Sequence, residues 1–237
     1  MKLPDLFAPQ LTRRDIWLGR CWLPIHIFVI PLLLELFAEV SGVEISPARS
    51  NALYYIISMA FILLFLGKYL RRTLEPLCDH PGWSGWVAFS GYLIHMFLSG
   101  IVGLGAMMFA GEQGASPTAV AAAELLAENP RAVFCVVCVL APVVEETLFR
   151  GVLLGGALAK GRRKWGYISS IVLFAIYHVW MLPFTGYGWQ SLLYAILYVP
   201  AGVVLARTYE MSGSLWTGII LHAVINAVSV ITMLMMG

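Results

Sequence analysis

Pro142-Val143-Val144-Glu145-Glu146-Thr147-Leu148-Phe149-Arg150-Gly151 sets two adjacent acids and an arginine inside a run otherwise made of Val, Leu, Phe and Cys. The run covers roughly Ala132–Leu154, close to the ~20 apolar residues that cross ~30 Å of hydrocarbon at 1.5 Å per residue. A stretch this long and apolar reads as a transmembrane helix. Its three charges need explaining, because each costs several kcal/mol in hydrocarbon unless paired or hydrated.

Outward from this run, six more of the same kind follow: Trp22–Val40, Ala52–Leu70, Trp86–Ala110, Tyr167–Leu182, Leu192–Ala206 and Leu215–Met235. The chain of 237 residues is 60% hydrophobic and only 12% charged, with mean hydropathy +0.82. A soluble domain carries about 25% charged residues. Continuous apolar runs exclude a β-barrel, whose strands alternate. The expected fold is all-α, a polytopic transmembrane helical bundle of about seven spans forming one integral membrane domain over residues 1–237. The runs Tyr167–Leu182 and Leu192–Ala206 are short and flank Pro183-Phe184-Thr185-Gly186-Tyr187-Gly188, which suggests a tilted or shielded hairpin.

Basic residues orient the bundle. Lys2, Arg13, Arg14 and Arg20 lie in the N-terminal arm, residues 1–21. Lys68, Arg71 and Arg72 lie in the second connection, Lys160, Arg162, Arg163 and Lys164 in the fourth, and Arg207 in the sixth. The first and third connections hold one each, Arg49 and Arg131, and the fifth holds none. By the positive-inside rule the arm is cytoplasmic and the C-terminus extracytoplasmic, in the plasma (inner) membrane for a bacterial source. The third connection also carries Glu112, Glu124 and Glu128, and Ala119–Ala127 reads as a short surface helix. Met1 to Asp15 are mixed polar with no small-residue cleavage site, so the first span is expected to be an uncleaved anchor. Cys135 and Cys138 form a C-x-x-C among valines, read as small apolar packing rather than a metal or redox site. A formal net charge of +2 gives no sign of a nucleic-acid partner. Membrane lipid is the expected surround.

Spacing separates the two acids. Glu146 and Arg150 are i, i+4 and can pair on one helix face, whereas Glu145 points about 100° away and is left as the reactive carboxylate. His178 lies in the fifth run, and His222 and Asn226 share a face of the seventh. These groups fall in the middle or the basic half of their spans, which suggests a cytoplasm-facing site. A carboxylate can deprotonate water, a histidine can orient it or protonate a leaving amine, and His beside Asn can donate to an oxyanion. No Ser or Cys nucleophile paired with a base stands out, and His-Glu-x-x-His is absent. His26 and His95 read as bundle hydrogen bonds. Glu35 and Glu39 read as interfacial acids, and Arg20 as a snorkelling base.

Glu145-Glu146-x-x-x-Arg150, Phe174-x-x-x-His178 and His222-x-x-x-Asn226, in this order, resemble the CAAX-protease and bacteriocin-processing (CPBP) family of intramembrane proteases. Ser212-Gly213-Ser214-Leu215-Trp216 resembles the usual lead-in to the last motif. The resemblance runs from about Cys135 to Val230 (residues 135–230), and the first three runs carry none. It implies an endopeptidase without catalytic metal or other cofactor. Glu145 would be the water-activating base, His178 its partner, and His222 with Asn226 the oxyanion stabilisers, supported by Glu146 and Arg150. The implied partner is a peptide or protein, membrane-tethered or lipidated: eukaryotic members trim prenylated CAAX proteins, and many bacterial members act on or protect against peptides such as bacteriocins.

Two other classes fit the residues. A zinc-dependent membrane protease would use Glu145, His178 and His222 as ligands and leave one position open for water. A non-catalytic membrane protein, such as an immunity factor, scaffold or transporter, would carry the same polar groups in a cavity. Against transport, no pair of matching half-chains with interrupted helices is visible.

Overall fold

Thr12 starts the first helix. Its side chain accepts from the Asp15 N–H at 3.1 Å, and Asp15 accepts from the Thr12 N–H at 3.0 Å, a reciprocal cap that satisfies two N-terminal donors. The helix therefore begins at Arg13, inside what reads from sequence as an arm over residues 1–21. The computed structural model describes residues 10–110 and 116–236, so Lys2 and Glu112 lie outside the described residues.

Among the described residues, seven helices are long and apolar enough to cross a membrane, in agreement with the seven runs. They are α1 (Arg13–Ser41), α2 (Pro47–Asp79), α3 (Pro81–Met108), α5 (Pro130–Leu158), α6 (Arg163–Phe184), α7 (Trp189–Ser212) and α8 (Leu215–Met235). Between α3 and α5 lies the short surface helix α4 (Pro117–Glu128), capped by Ser116. Every regular element among the described residues is helical. α6 and α7 look short in sequence because their facing ends, Leu182–Thr185 and Trp189–Tyr198, wind as 3-10 helix. That winding rises about 2 Å per residue, so fewer residues cover the same depth.

α5 is the axis of the bundle. Of its most apolar stretch 67% is buried in protein, against 11% for α3. α1, α2, α6 and α8 pack around α5, and α3 packs outside, on α7 and α8. The close approach to α5 depends on Gly151 and Gly155. A Cβ on either would meet the Tyr69 or Tyr209 hydroxyl at 2.7 or 2.5 Å.

The winding of α5 is not uniform. Val136–Leu140 and Glu146–Gly155 are π-wound on either side of the α-helical turn Ala141–Glu145. Pro142 gives a reason for the first widening, since its ring clashes with the carbonyl four residues back in an α-helix. Proline also has no N–H for the carbonyl five residues back, Val137, and Asn226 on α8 supplies that donor from its side chain at 2.8 Å.

Candidate active site

The carboxylates of α5 emerge where its winding changes. Glu146 and Arg150 are both fully buried and pair at 2.9 Å, as their spacing suggests. Arg150 also reaches the Gly202 carbonyl at 3.4 Å and lies 4.1 Å over the Phe174 ring. The same Glu146 oxygen accepts from His222 Nδ1 at 2.9 Å. The pair thus does more than neutralise Glu146. It holds an imidazole in one tautomer, with Nδ1 protonated and Nε2 free to act.

His178 is held in the same way. It caps the α-helical part of α6, and its Nδ1–H donates to the Phe174 carbonyl at 2.8 Å. Its ring stacks on Tyr198 of α7 with centroids 4.1 Å apart. Phe174, the first residue of its motif, thereby orients His178 through its carbonyl and shields Arg150 with its ring.

Glu145 is 2% exposed and lies between the two imidazoles. Its Oε2 is 3.8 Å from Nε2 of His178 and 3.8 Å from Nε2 of His222. That oxygen has no hydrogen-bond partner among the described residues, whereas Oε1 accepts from the Tyr55 hydroxyl of α2 at 2.7 Å. With both Nδ1 atoms engaged, the two Nε2 atoms and Glu145 Oε2 are left as acceptors. A water between Glu145 Oε2 and either imidazole fits the 3.8 Å spacing. Asn226 stands apart: the contact the structure gives it is Val137, not Glu145 or either imidazole.

The donor set is less suited to zinc. Bonds of about 2.0–2.1 Å at a tetrahedral angle put ligand atoms roughly 3.3 Å apart. Among the described residues, no group of three or more His, Cys, Asp or Glu is arranged to hold a metal ion. Cys135 and Cys138 are free thiols, one exposed and one buried.

Two adjoining cavities, of about 550 and 370 Å³, lead to His178. Tyr55 and Tyr177 line the inner one, and Glu35, Glu124 and Glu128 line the outer. They open at the end of the bundle opposite the basic rim, beneath α4. This corrects the expectation from sequence of a site facing the basic side: His178 lies only a few residues from the non-basic end of α6.

A family model described as type II CAAX prenyl endopeptidase Rce1-like matches residues 127–228, which span the end of α4 and α5 to α8. The match covers the stretch that carries Glu145, Glu146, Arg150, Phe174, His178, His222 and Asn226. A Bacillus subtilis (strain 168) protein named "Putative membrane peptidase YdiL" is 25% identical over 218 residues, covering 88% of this chain and 83% of that protein. No solved structure matches the chain. The chain brings these motifs to one depth while drawing on helices outside the matched region. Tyr55 is the clearest case, donated by α2 from 90 positions away. Its only sequence signal is the Tyr54-Tyr55 pair in an apolar run, which belt tyrosines would also give.

The lead-in to the last motif is structural. Gly213 takes φ 67° to end α7. The Ser214 hydroxyl then donates to the Thr73 carbonyl at 2.7 Å, and Trp216 Nε1 donates to the Leu70 carbonyl at 2.9 Å. Both bonds pin the start of α8 to the end of α2, which sets the height of His222.

Proposed function

We propose that this membrane protease hydrolyses peptide bonds with a water activated by Glu145, without metal or other cofactor. The observation that carries the reading is the partnerless Glu145 Oε2, buried and flanked at 3.8 Å by two imidazole nitrogens. Glu145 takes a proton from water as the oxygen attacks the peptide carbonyl carbon. The resulting tetrahedral oxyanion is stabilised by His222 and by the second N–H of the Asn226 amide. His178 passes the proton from Glu145 to the leaving amine, the C–N bond breaks, and the carboxylate is regenerated. Preorganisation supports these roles, since both rings are held by partners that keep Nε2 on the reaction side.

The substrate class is a membrane-tethered peptide or protein. With the N-terminus cytoplasmic, as the basic rim favours, the cavities open on the extracytoplasmic side. Peptides anchored in that leaflet then suit the site better than a lipidated cytosolic C-terminus.

Wild type and Glu145→Gln, purified in detergent, would be compared on a membrane-tethered peptide library, with metal content measured on the same samples. Cleavage lost in the variant at an unchanged melting temperature, from protein without stoichiometric metal, is the expected result. Full activity in the variant, or activity removed by chelators and restored by zinc, would overturn the reading.

A further inference from the structure

Five hydrogen bonds run in series from Glu145 to the far side of the bundle. Tyr55 donates to Glu145 Oε1 at 2.7 Å, and its oxygen lies 2.9 Å from the Tyr177 hydroxyl. Tyr177 lies 3.1 Å from the Tyr54 hydroxyl, and Tyr54 2.9 Å from His26 Nε2. His26 Nδ1 lies 2.8 Å from the Ser58 hydroxyl. The chain crosses α5, α2, α6 and α1, and His26 and Ser58 at its end are wholly buried.

Each phenol has one proton, so the direction of every bond is forced once one is known. A carboxylate only accepts, so Tyr55 spends its proton on Glu145. Tyr177 must then donate to Tyr55, and Tyr54 to Tyr177. His26 must donate from Nε2–H to Tyr54, leaving Nδ1 to accept from Ser58. All donors point toward the carboxylate, and bonds aligned this way polarise and strengthen one another.

We infer that Tyr55 is a positioning residue for Glu145, oriented by the chain through Tyr177, Tyr54, His26 and Ser58. The bond to Oε1 fixes the rotation of the carboxyl group and leaves Oε2 aimed at the two imidazoles. This inference rests on the role proposed for Glu145. It also assigns His26 the tautomer opposite to those of His178 and His222: Nε2–H in His26, Nδ1–H in the other two.

Two measurements test it. In protein with 15N-labelled histidine, assigned by single His→Gln variants, the ring-nitrogen shifts of His26 should report Nε2–H while those of His178 and His222 report Nδ1–H. A His26 protonated at Nδ1 alone would break the chain and overturn the inference, whatever the protein cleaves. In the cleavage assay, Tyr55→Phe, which keeps the ring, should lower kcat about 10- to 100-fold with KM within twofold, the range of one hydrogen bond to a charged group. Wild-type kcat in Tyr55→Phe, or a loss matched by an equal fall in folded protein, would overturn it. Wild-type activity in Glu145→Gln would instead sink the proposed mechanism and leave the tautomer result standing.

Discussion

Glu210 near the basic end of α7 and Glu145 in the middle of α5 are both almost wholly buried carboxylates, 4% and 2% exposed, yet their oxygens are treated differently. Glu210 is saturated. Arg163 donates to both of its oxygens, Tyr167 donates to Oε2 at 2.6 Å and Arg207 to the same oxygen at 2.7 Å. Glu145 receives one phenolic donor and keeps the other oxygen bare. The guanidinium groups around Glu210 reach solvent, with side chains 52% and 54% exposed, whereas Arg150 beside Glu146 is sealed. A carboxylate meant to hold helices together is given every donor it can accept. Glu145, in the role proposed for it, is oriented through one oxygen and left open at the other.

The strongest way to break this comparison is to neutralise each acid in turn. Glu145→Gln should lower turnover by about 10²- to 10⁴-fold, the usual worth of a general base, with little change in thermal unfolding. Glu210→Gln should keep cleavage within about twofold and cost under about 1 kcal/mol, because its cations are screened by solvent. Equal loss of activity in both would erase the distinction. Next, Arg150→Met leaves Glu146 buried without its cation and should cost about 3–5 kcal/mol in unfolding measured in detergent. A cost no larger than that of Glu210→Gln would show that water reaches the pair.

Asn226→Ala sharpens the same contrast by a smaller amount. It strands the Val137 carbonyl and should cost about 1–3 kcal/mol, in addition to any fall in turnover. A turnover defect with unchanged stability would assign the amide to the oxyanion alone.

Smallest of all is the effect of Glu128, an exposed acid on α4. The Ser46 hydroxyl beside it, though without a well-formed hydrogen bond, and the Ala48 N–H donating at 3.0 Å hold its carboxyl below the usual range. A carboxyl lowered by folding adds stability that is present above its unfolded value, about 4.3, and is lost as pH falls through the folded one. The melting temperature of wild type should therefore fall slightly more than that of Glu128→Gln below about pH 4. Parallel curves would show that α4 is held to α2 without this contact.

The spans were legible because hydrocarbon demands continuous apolar runs, and such runs survive in sequence whatever their partners. Glu145, Glu146 and Arg150 stood out by their cost in that setting, and His178 and His222 by the motifs that accompany them. Less could be read where meaning depends on winding or on a distant helix. That Asn226 faces the Val137 carbonyl follows only once the turn before Pro142 is known to be π-wound. His26 reads as an ordinary bundle histidine until Tyr54, Tyr55 and Tyr177 are brought together from α2 and α6. The direction of the cavity differs from the expectation because residue counts place His178 along α6 without showing that α4 roofs that end.

The π winding of Glu146–Gly155 also bears on how this chain tolerates changes in length. In an α-helix, deleting one residue turns everything beyond it by about 100° and unpicks the packing on that side. In a stretch whose bonds already span one residue more than an α turn, the same deletion can be absorbed by rewinding to the tighter pitch, and both ends stay in place. A lineage could therefore lose a residue from the most crowded helix of the bundle and keep all seven crossings. Were the lost residue Thr147, Leu148 or Phe149, the offset between Glu146 and Arg150 would fall from four positions to three, so such an edit would be read in the chemistry of the site before it was read in the topology.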